Sequence, residues 1–467
     1  MPLSLPPPLT TASARLHPAA ADPSSVKITF HRDSAAWCPY CQKVWLHLLA
    51  KGAPFAVSAV PMRSYGAKPG EFLAISPGGL LPVFTVTDAA RGLEDAVVSD
   101  SVNLMSAIEE LYPEPDLSGR SLAPAAEIDS LYRLERELFS SWCSLCFRPS
   151  PSPSQFLASL KKVDAVLAAS STPYFLSSPD PTALDFLFVS HLERMLPTAM
   201  YTHALRVRAN PELPALDGYL DAFDGLPYYV CTKADYYSTL LNIEPQYGPM
   251  VVRDRSYHSY LDGTAPDSGW FLDPSTCEVV TPADPATEPL VGYVLSGLPP
   301  ADYAALPPPS RTNLARLYAA DKLNSNLPAI SRFASRGSSK GSKNRRQGYS
   351  APLADPEASP DDAVVGEVEE ALGIIAACLS ADDAGAHAAT VAEMDGRLRE
   401  AAARWGGKKG DVAGSLAYLK LRVGVPRDMP LVAARELRAH LNWAEAALGG
   451  GGGGEGEKKG LFGGLFK

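Results

Sequence analysis

The chain has 467 residues, of which 46% are apolar and 20% charged, and its formal net charge is −10. This length and apolar content suit two to four domains with buried cores. The mildly acidic balance argues against nucleic acid as the main partner, since that binding rests on neutralising phosphates, and no run of about 18 apolar residues is present to span a membrane.

In chain order, the first 21 residues (MPLSLPPPLTTASARLHPAAA) contain no acid and one arginine. They fit an organelle transit peptide or a plain disordered tail, so residues 1–25 are set aside as a tail. VKITF then reads as a strand. Residues 38–51 read as a helix: Val44, Leu46, Leu48 and Leu49 are apolar, and Gly52 sits where a helix stops. PFAVSAV is a second strand and GEFLAI a short helix. LPVFTVTD and AVVSD form a strand pair, and DSVNLMSAIEELY is a helix with Asp100 in its first turn, a favourable place for negative charge. The order β-α-β-α-β-β-α predicts an α/β domain over 26–112 with a four-stranded sheet.

From 124 to 245 the strand signals mostly vanish. Ile128, Leu131, Leu134, Leu138, Trp142 and Leu145 recur every three or four residues, as one helix face requires. TALDFLFVSHLERML opens with Thr182 and carries Asp185 three residues on, a capping box with Asp in place of Glu. Its body is apolar nearly all round, which predicts a buried helix. PELPALDGYLDAF and KADYYSTLL are further helices, so 124–245 is all-helical. Residues 246–310 are rich in Pro, Asp and Gly and read as an irregular linker or insertion. Residues 311–449 read as a helical extension interrupted by a basic linker at 337–361. In it Val364, Val368, Leu372, Ile375 and Leu379 share a helix face, and a further helix spans 430–448. Residues 450–467 are a Gly-rich tail. The fold class is therefore α/β plus all-α.

The chemistry concentrates in HRDSAAWCPYCQKV. Seven cysteines, an odd and sparse set, suit a reducing compartment better than a secreted disulfide scaffold. Cys38 falls at the N-terminus of a helix that follows a strand, where unpaired N–H groups and the helix dipole stabilise an anion. Such a position can draw a thiol below its ordinary pKa of about 8.5. Pro39 occupies the first helical turn, where a missing N–H costs nothing. Cys41 lies one turn further, within disulfide reach of Cys38. A redox or thiol-transfer pair is the favoured reading. Inert core cysteines are one alternative. A zinc site is the other, but it would need two more ligands, and no His pair or second CxxC supplies them. No metal is expected. Cys143 and Cys146 share a helix face and read as buried, hydrophobe-like cysteines.

These residues resemble a known family. WCPYCQKV is similar to the glutaredoxin active-site motif, and residues 26–245 resemble a cysteine-type glutathione transferase of the omega kind. GGLLPVF places Pro82 where that family has a cis-proline, VSDS supplies its acidic–Ser pair as Asp100 and Ser101, and TALD matches its helical capping motif. The resemblance implies a thioredoxin-like domain followed by a glutathione-transferase helical domain. It also implies glutathione as co-substrate and catalysis by Cys38 and Cys41. The glutathione-contacting positions would be Pro39, Tyr40, Lys68, Leu81, Pro82, Asp100 and Ser101. Leu81 would offer its backbone to the cysteinyl part, Asp100 would meet the γ-glutamyl ammonium, and the Ser101 hydroxyl and N–H would hold its carboxylate. Lys68 is the poorest match. The implied partners are glutathione and a small thiol, disulfide or electrophilic acceptor, and a homodimer is compatible with the family. Conjugation of electrophiles and a non-catalytic binding or scaffold role remain as alternative functions.

SAPLADP and VGVPRDMPLVAARELRAHLNWA resemble segments of long glutathione-transferase-like proteins of plants, algae and cyanobacteria. They favour a photosynthetic source and location in chloroplast or cytoplasm, and bring no recognisable site of their own.

Overall fold

The computed structural model describes residues 26–62, 66–261, 263–281, 307–343, 359–381 and 384–449. The expected N-terminal tail, the Gly-rich C-terminal tail, part of the 246–310 linker and most of the 337–361 linker lie outside the described residues. The chain divides into two compact units, with the second beginning at His258.

The first unit opens with the expected α/β order. Strands β1 (Ile28–Asp33), β2 (Phe55–Val60), β3 (Val83–Asp88) and β4 (Leu93–Ser99) form one sheet in the order β2-β1-β3-β4. The β1–β2 pair is parallel, with Ile28 opposite Phe55, while β1–β3 and β3–β4 are antiparallel. A parallel pair needs a crossover, and helix α1 (Pro39–Ala50) supplies it. Helices α2 (Gly70–Ile75) and α3 (Ser101–Leu111) complete a thioredoxin-like domain. Phe30 lies edge-on to both Phe55 and Phe84, which locks the centre of the sheet. Helix α1 is buried along almost its whole length because α3 and the later helix Ala183–His203 both pack on it. That is why Leu46 and Leu48, on different faces, are both inside.

The helical part comprises α4 (Ala125–Phe147), α5 (Pro153–Ala168), α6 (Ala183–His203), α7 (Pro214–Asp224), α8 (Pro227–Val230) and α9 (Tyr236–Tyr247). Helix α6 is its axis and is buried from Ala183 to Thr202. The capping box at its start is fully formed. One oxygen of Asp185 accepts from the Thr182 N–H and hydroxyl, both at 2.8 Å, and the other from the Phe175 N–H at 3.0 Å. Burial raises the Asp185 carboxyl to about 6 in spite of these donors. Helix α5 carries no strong signal in the sequence reading, and its buried face is the short series Phe156, Leu160, Val163 and Leu167.

The second unit is helical, with segments at Pro308–Ser325, Leu327–Ala334, Ser339–Lys343, Val365–Leu379, Ala384–Trp405, Lys409–Lys420 and Leu431–Ala447. The five residues predicted to share one face in 364–379 are all buried in its core. Two stretches read as irregular carry more structure than their composition suggests. Trp270 is buried, with the Arg438 guanidinium 5.1 Å from its ring centroid. Gly263, at φ +74°, leaves room for it: a Cβ there would meet the indole at 2.8 Å. In the basic stretch, Ser339–Lys343 is helical, and Gly337 approaches the Gly414 carbonyl so closely that a Cβ would stand 2.3 Å from it. Close backbone approach of this kind leaves no hydrophobic period to read.

Candidate active site

Cys38 is the N-cap residue of α1, with extended backbone (φ −62°, ψ 120°), and Pro39 follows at the first helical position. The loop between β1 and α1 is held by Asp33, one of whose carboxylate oxygens accepts from the Trp37 N–H at 2.8 Å and the Cys38 N–H at 3.2 Å. Ala36, at φ +60°, takes the left-handed conformation just before them. Both sulfurs are shielded, Cys38 at 5% exposure and Cys41 at 1%. The two sulfurs and an Asp33 carboxylate oxygen all lie within 4.8 Å of one another. Sequence reasoning missed Asp33. The one available signal was an acid at the end of the strand that feeds the motif.

The two thiols are not equivalent. Burial, a hydrogen bond to Cys38 and the nearness of the Asp33 carboxylate push the Cys41 thiol well above its ordinary value. In a folded Cys38→Ser variant, where burial and the Asp33 carboxylate remain, alkylation of Cys41 by iodoacetamide is therefore expected to set in at a higher pH than for an ordinary thiol. A midpoint at the ordinary thiol value of about 8.5 would overturn this assignment.

A second missed group anchors the loop from the helical side. Arg194 on α6 is buried and donates its Nε–H to the Trp37 carbonyl at 2.7 Å. Its guanidinium also bonds the Gln42 side-chain oxygen and the Ser190 carbonyl. It pairs with Glu193 at 3.0 Å, and Glu193 in turn accepts from the Gln42 amide at 2.7 Å and the Ala234 N–H at 2.9 Å. A buried arginine 157 positions from the loop it holds leaves no local pattern to detect.

The remaining predicted residues are placed as follows. The Leu81–Pro82 peptide is cis, and Pro82 is buried. Asp100 caps α3, accepting from the Val102 N–H at 2.9 Å and the Asn103 N–H at 3.3 Å, while Ser101 is buried at the helix start. Asp100 does this at φ +70°, ψ 125°. A non-glycine residue there carries strain of about 1–3 kcal/mol, and such residues gather at ligand sites. Lys68 donates to the Pro61 carbonyl at 3.2 Å, and its charge is felt by Cys41, Cys38 and Asp33. The Tyr40 ring lies in an aromatic cluster with Phe139 and His191. Cys146 is fully buried and Cys143 half-buried, and burial raises both thiols.

The fold and site thus define a thioredoxin-like α/β domain with a CxxC motif at the first strand–helix junction, followed by a helical domain. Residues 37–111 match the family described as glutathione S-transferase, N-terminal domain. Among curated proteins, the chain is 38% identical over 81 residues to glutathione S-transferase DHAR3, chloroplastic, of Arabidopsis thaliana, an alignment covering 17% of this chain and 28% of that one. It is 36% identical over 87 residues to the probable glutathione S-transferase DHAR1, cytosolic, of Oryza sativa subsp. japonica, covering 19% and 37%. It is 26% identical over 149 residues to chloride intracellular channel protein 3 of Homo sapiens, covering 31% and 57%. The chain thus spans less than two thirds of the length of each of these relatives. Its N-terminal domain is glutathione S-transferase-like.

Proposed function

We propose that the chain transfers thiol groups between glutathione, its co-substrate, and a small disulfide or electrophilic acceptor, with Cys38 as nucleophile. The observation that carries this reading is the placement of Cys38 at the start of α1 with a second, protonated sulfur one turn behind it. With a glutathione mixed disulfide as substrate, the Cys38 thiolate attacks the glutathionyl sulfur. A Cys38–glutathione disulfide forms, and the acceptor leaves as a thiolate that takes up a proton. A second glutathione thiolate then attacks the glutathionyl sulfur, releasing oxidised glutathione and restoring the Cys38 thiolate. In the dithiol variant, Cys41 loses its proton and attacks the Cys38 sulfur instead, forming the Cys38–Cys41 disulfide and expelling glutathione. Turnover of a glutathionylated peptide well above that of an aromatic halide is the expected outcome. The reverse preference would move the protein to conjugation.

Asp100 and Ser101 hold the γ-glutamyl end of glutathione in this reading, Leu81 its cysteinyl backbone beside Pro82, and Lys68 its glycine carboxylate. Pro39 and Tyr40 border the same thiol. Changing Asp100 and Ser101 together to alanine is expected to weaken glutathione binding by about 1.5–3 kcal/mol, the size of a lost charge-assisted contact. Calorimetry on folded protein measures it, and unchanged affinity would leave only the capping role. The names of the relatives include a plastid and a cytosolic protein, in line with the two compartments expected.

One relative is named as a channel protein rather than a transferase, which favours a second reading, a non-catalytic binding module on the same fold. No helix among the described residues is long and apolar enough to cross a membrane. Turnover separates the two: a binding module would not reduce a glutathione mixed disulfide.

A further inference from the structure

A zinc site built on the CxxC pair lacks two ligands in the sequence, and the fold brings one of them in. Asp33 ends β1, Cys38 caps α1, and Cys41 lies one turn along that helix. A carboxylate oxygen of Asp33 and the two sulfurs all lie within 4.8 Å of one another, and all three residues are buried. Among the described residues this is the one group of three or more His, Cys, Asp or Glu side chains whose ligand atoms gather so closely. A tetrahedral zinc ion holds thiolate sulfur at about 2.3 Å and carboxylate oxygen at about 2.0–2.2 Å, which spaces its ligand atoms by roughly 3.5–3.8 Å. From within 4.8 Å, side-chain rotation alone reaches that spacing.

The carboxylate is also preset. One of its oxygens accepts from the Trp37 N–H at 2.8 Å and the Cys38 N–H at 3.2 Å, contacts of the kind that orient a metal ligand from outside. Three ionised ligands would carry one charge more than zinc neutralises. Two cations face that surplus: the buried Arg32 and Lys68 both lie within the electrostatic influence of Asp33 and Cys41. The donor set itself selects the ion. Thiolates favour soft or borderline cations over magnesium and calcium, and zinc accepts sulfur and carboxylate oxygen in one tetrahedron.

We propose that Asp33, Cys38 and Cys41 form a zinc site with its fourth position open. Zinc displaces the thiol protons to solvent as it binds. No electron is transferred, so the step needs reduced cysteines and no further reactant. While the ion is bound, neither sulfur can attack a disulfide or form one. That block of thiol transfer rests on the function proposed above, and the binding itself does not.

Calorimetric titration of the full chain with zinc chloride, after reduction and in the absence of oxygen, tests this. One equivalent is expected to bind with a Kd below about 10 μM, and weaker binding overturns the proposal. Asp33→Asn keeps the size of the side chain and an oxygen for the Trp37 and Cys38 N–H groups, but removes the anionic ligand. It is expected to weaken zinc binding at least about 10-fold. A smaller change in the folded variant overturns the proposal, because a CxxC pair acting alone has no need of the carboxylate. A second measurement requires no variant to fold. One equivalent of zinc should protect Cys38 and Cys41 of the unmodified protein from iodoacetamide, read residue by residue by mass spectrometry, while the half-buried Cys143 still reacts. Unchanged alkylation of Cys38 overturns the proposal. None of these readouts uses turnover, so a failed thiol-transfer assay leaves the zinc site standing, and a failed zinc titration leaves the thiol-transfer reading standing.

Discussion

Cys38→Ser is expected to reduce glutathione-dependent thiol transfer by at least about three orders of magnitude, the scale on which enzymes lose rate when a covalent nucleophile is removed. The physical reason is local. Cys38 occupies the N-cap of α1, where the helix dipole acts most strongly and from which it fades within a turn. A serine hydroxyl is far less acidic than a thiol and cannot provide the anion there. Cys41 is a full turn deeper and its thiol is held protonated by burial, by Cys38 and by the Asp33 carboxylate. Cys41→Ser is therefore expected to keep most of the rate, with glutathione itself resolving the mixed disulfide. Steady-state kinetics with a glutathione mixed disulfide decides between the mechanisms. Loss of turnover in both variants would make Cys41 an obligatory resolver, and full activity in Cys38→Ser would remove the thiol-transfer function altogether.

Arg194→Met is expected to cost about 3–5 kcal/mol of stability, the penalty for breaking a buried ion pair by deleting one partner. The deletion leaves Glu193 buried without its cation, and strips donors from the Trp37 and Ser190 carbonyls and the Gln42 side chain. Trp37 immediately precedes Cys38, so releasing its carbonyl also frees the start of α1. A displacement of about 1 Å at a reacting group can reduce rate about 100-fold, and a loss of that order is expected in the protein that remains folded. Arg194→Lys restores the charge but not the fork that reaches the Trp37 carbonyl and Gln42 together, and should fall between. Urea unfolding and single-turnover labelling of Cys38 measure the two effects. A stability change under about 1 kcal/mol would show that the network has alternative partners.

Much of the architecture was legible because its elements are periodic and bounded by strong local signals. Four strands, α1, α3, the long α4 and the capped α6 have apolar positions at intervals of two or of three to four, with Pro39, Asp100 and the Thr182–Asp185 pair marking where helices begin. Within the stretch read as helical, the helices that were not delimited one by one have weaker patterns. Ala384–Trp405 is dominated by alanine and charged residues, and the helix at Lys409–Lys420 contains two glycines. Alanine packs as tightly as leucine where helices approach closely, yet it adds little contrast to a hydrophobic pattern. Trp270 was read as part of an irregular stretch because what buries it lies far along the chain, including Arg438.

The site divides along the same line. By itself the sequence determined the CPYC motif, its position at a strand–helix junction, the proline at position 82 and the acid–serine start of α3, since each depends on residues within a few positions of one another. Only the tertiary structure decided what surrounds those residues. It set Asp33 beside both sulfurs and brought Arg194 from α6 to the Trp37 carbonyl. These placements depend on burial and on contacts between distant elements. A charged side chain inside a helix carries no local mark of whether water, an ion pair or an empty cavity will receive it, because its desolvation is set by how the helices pack.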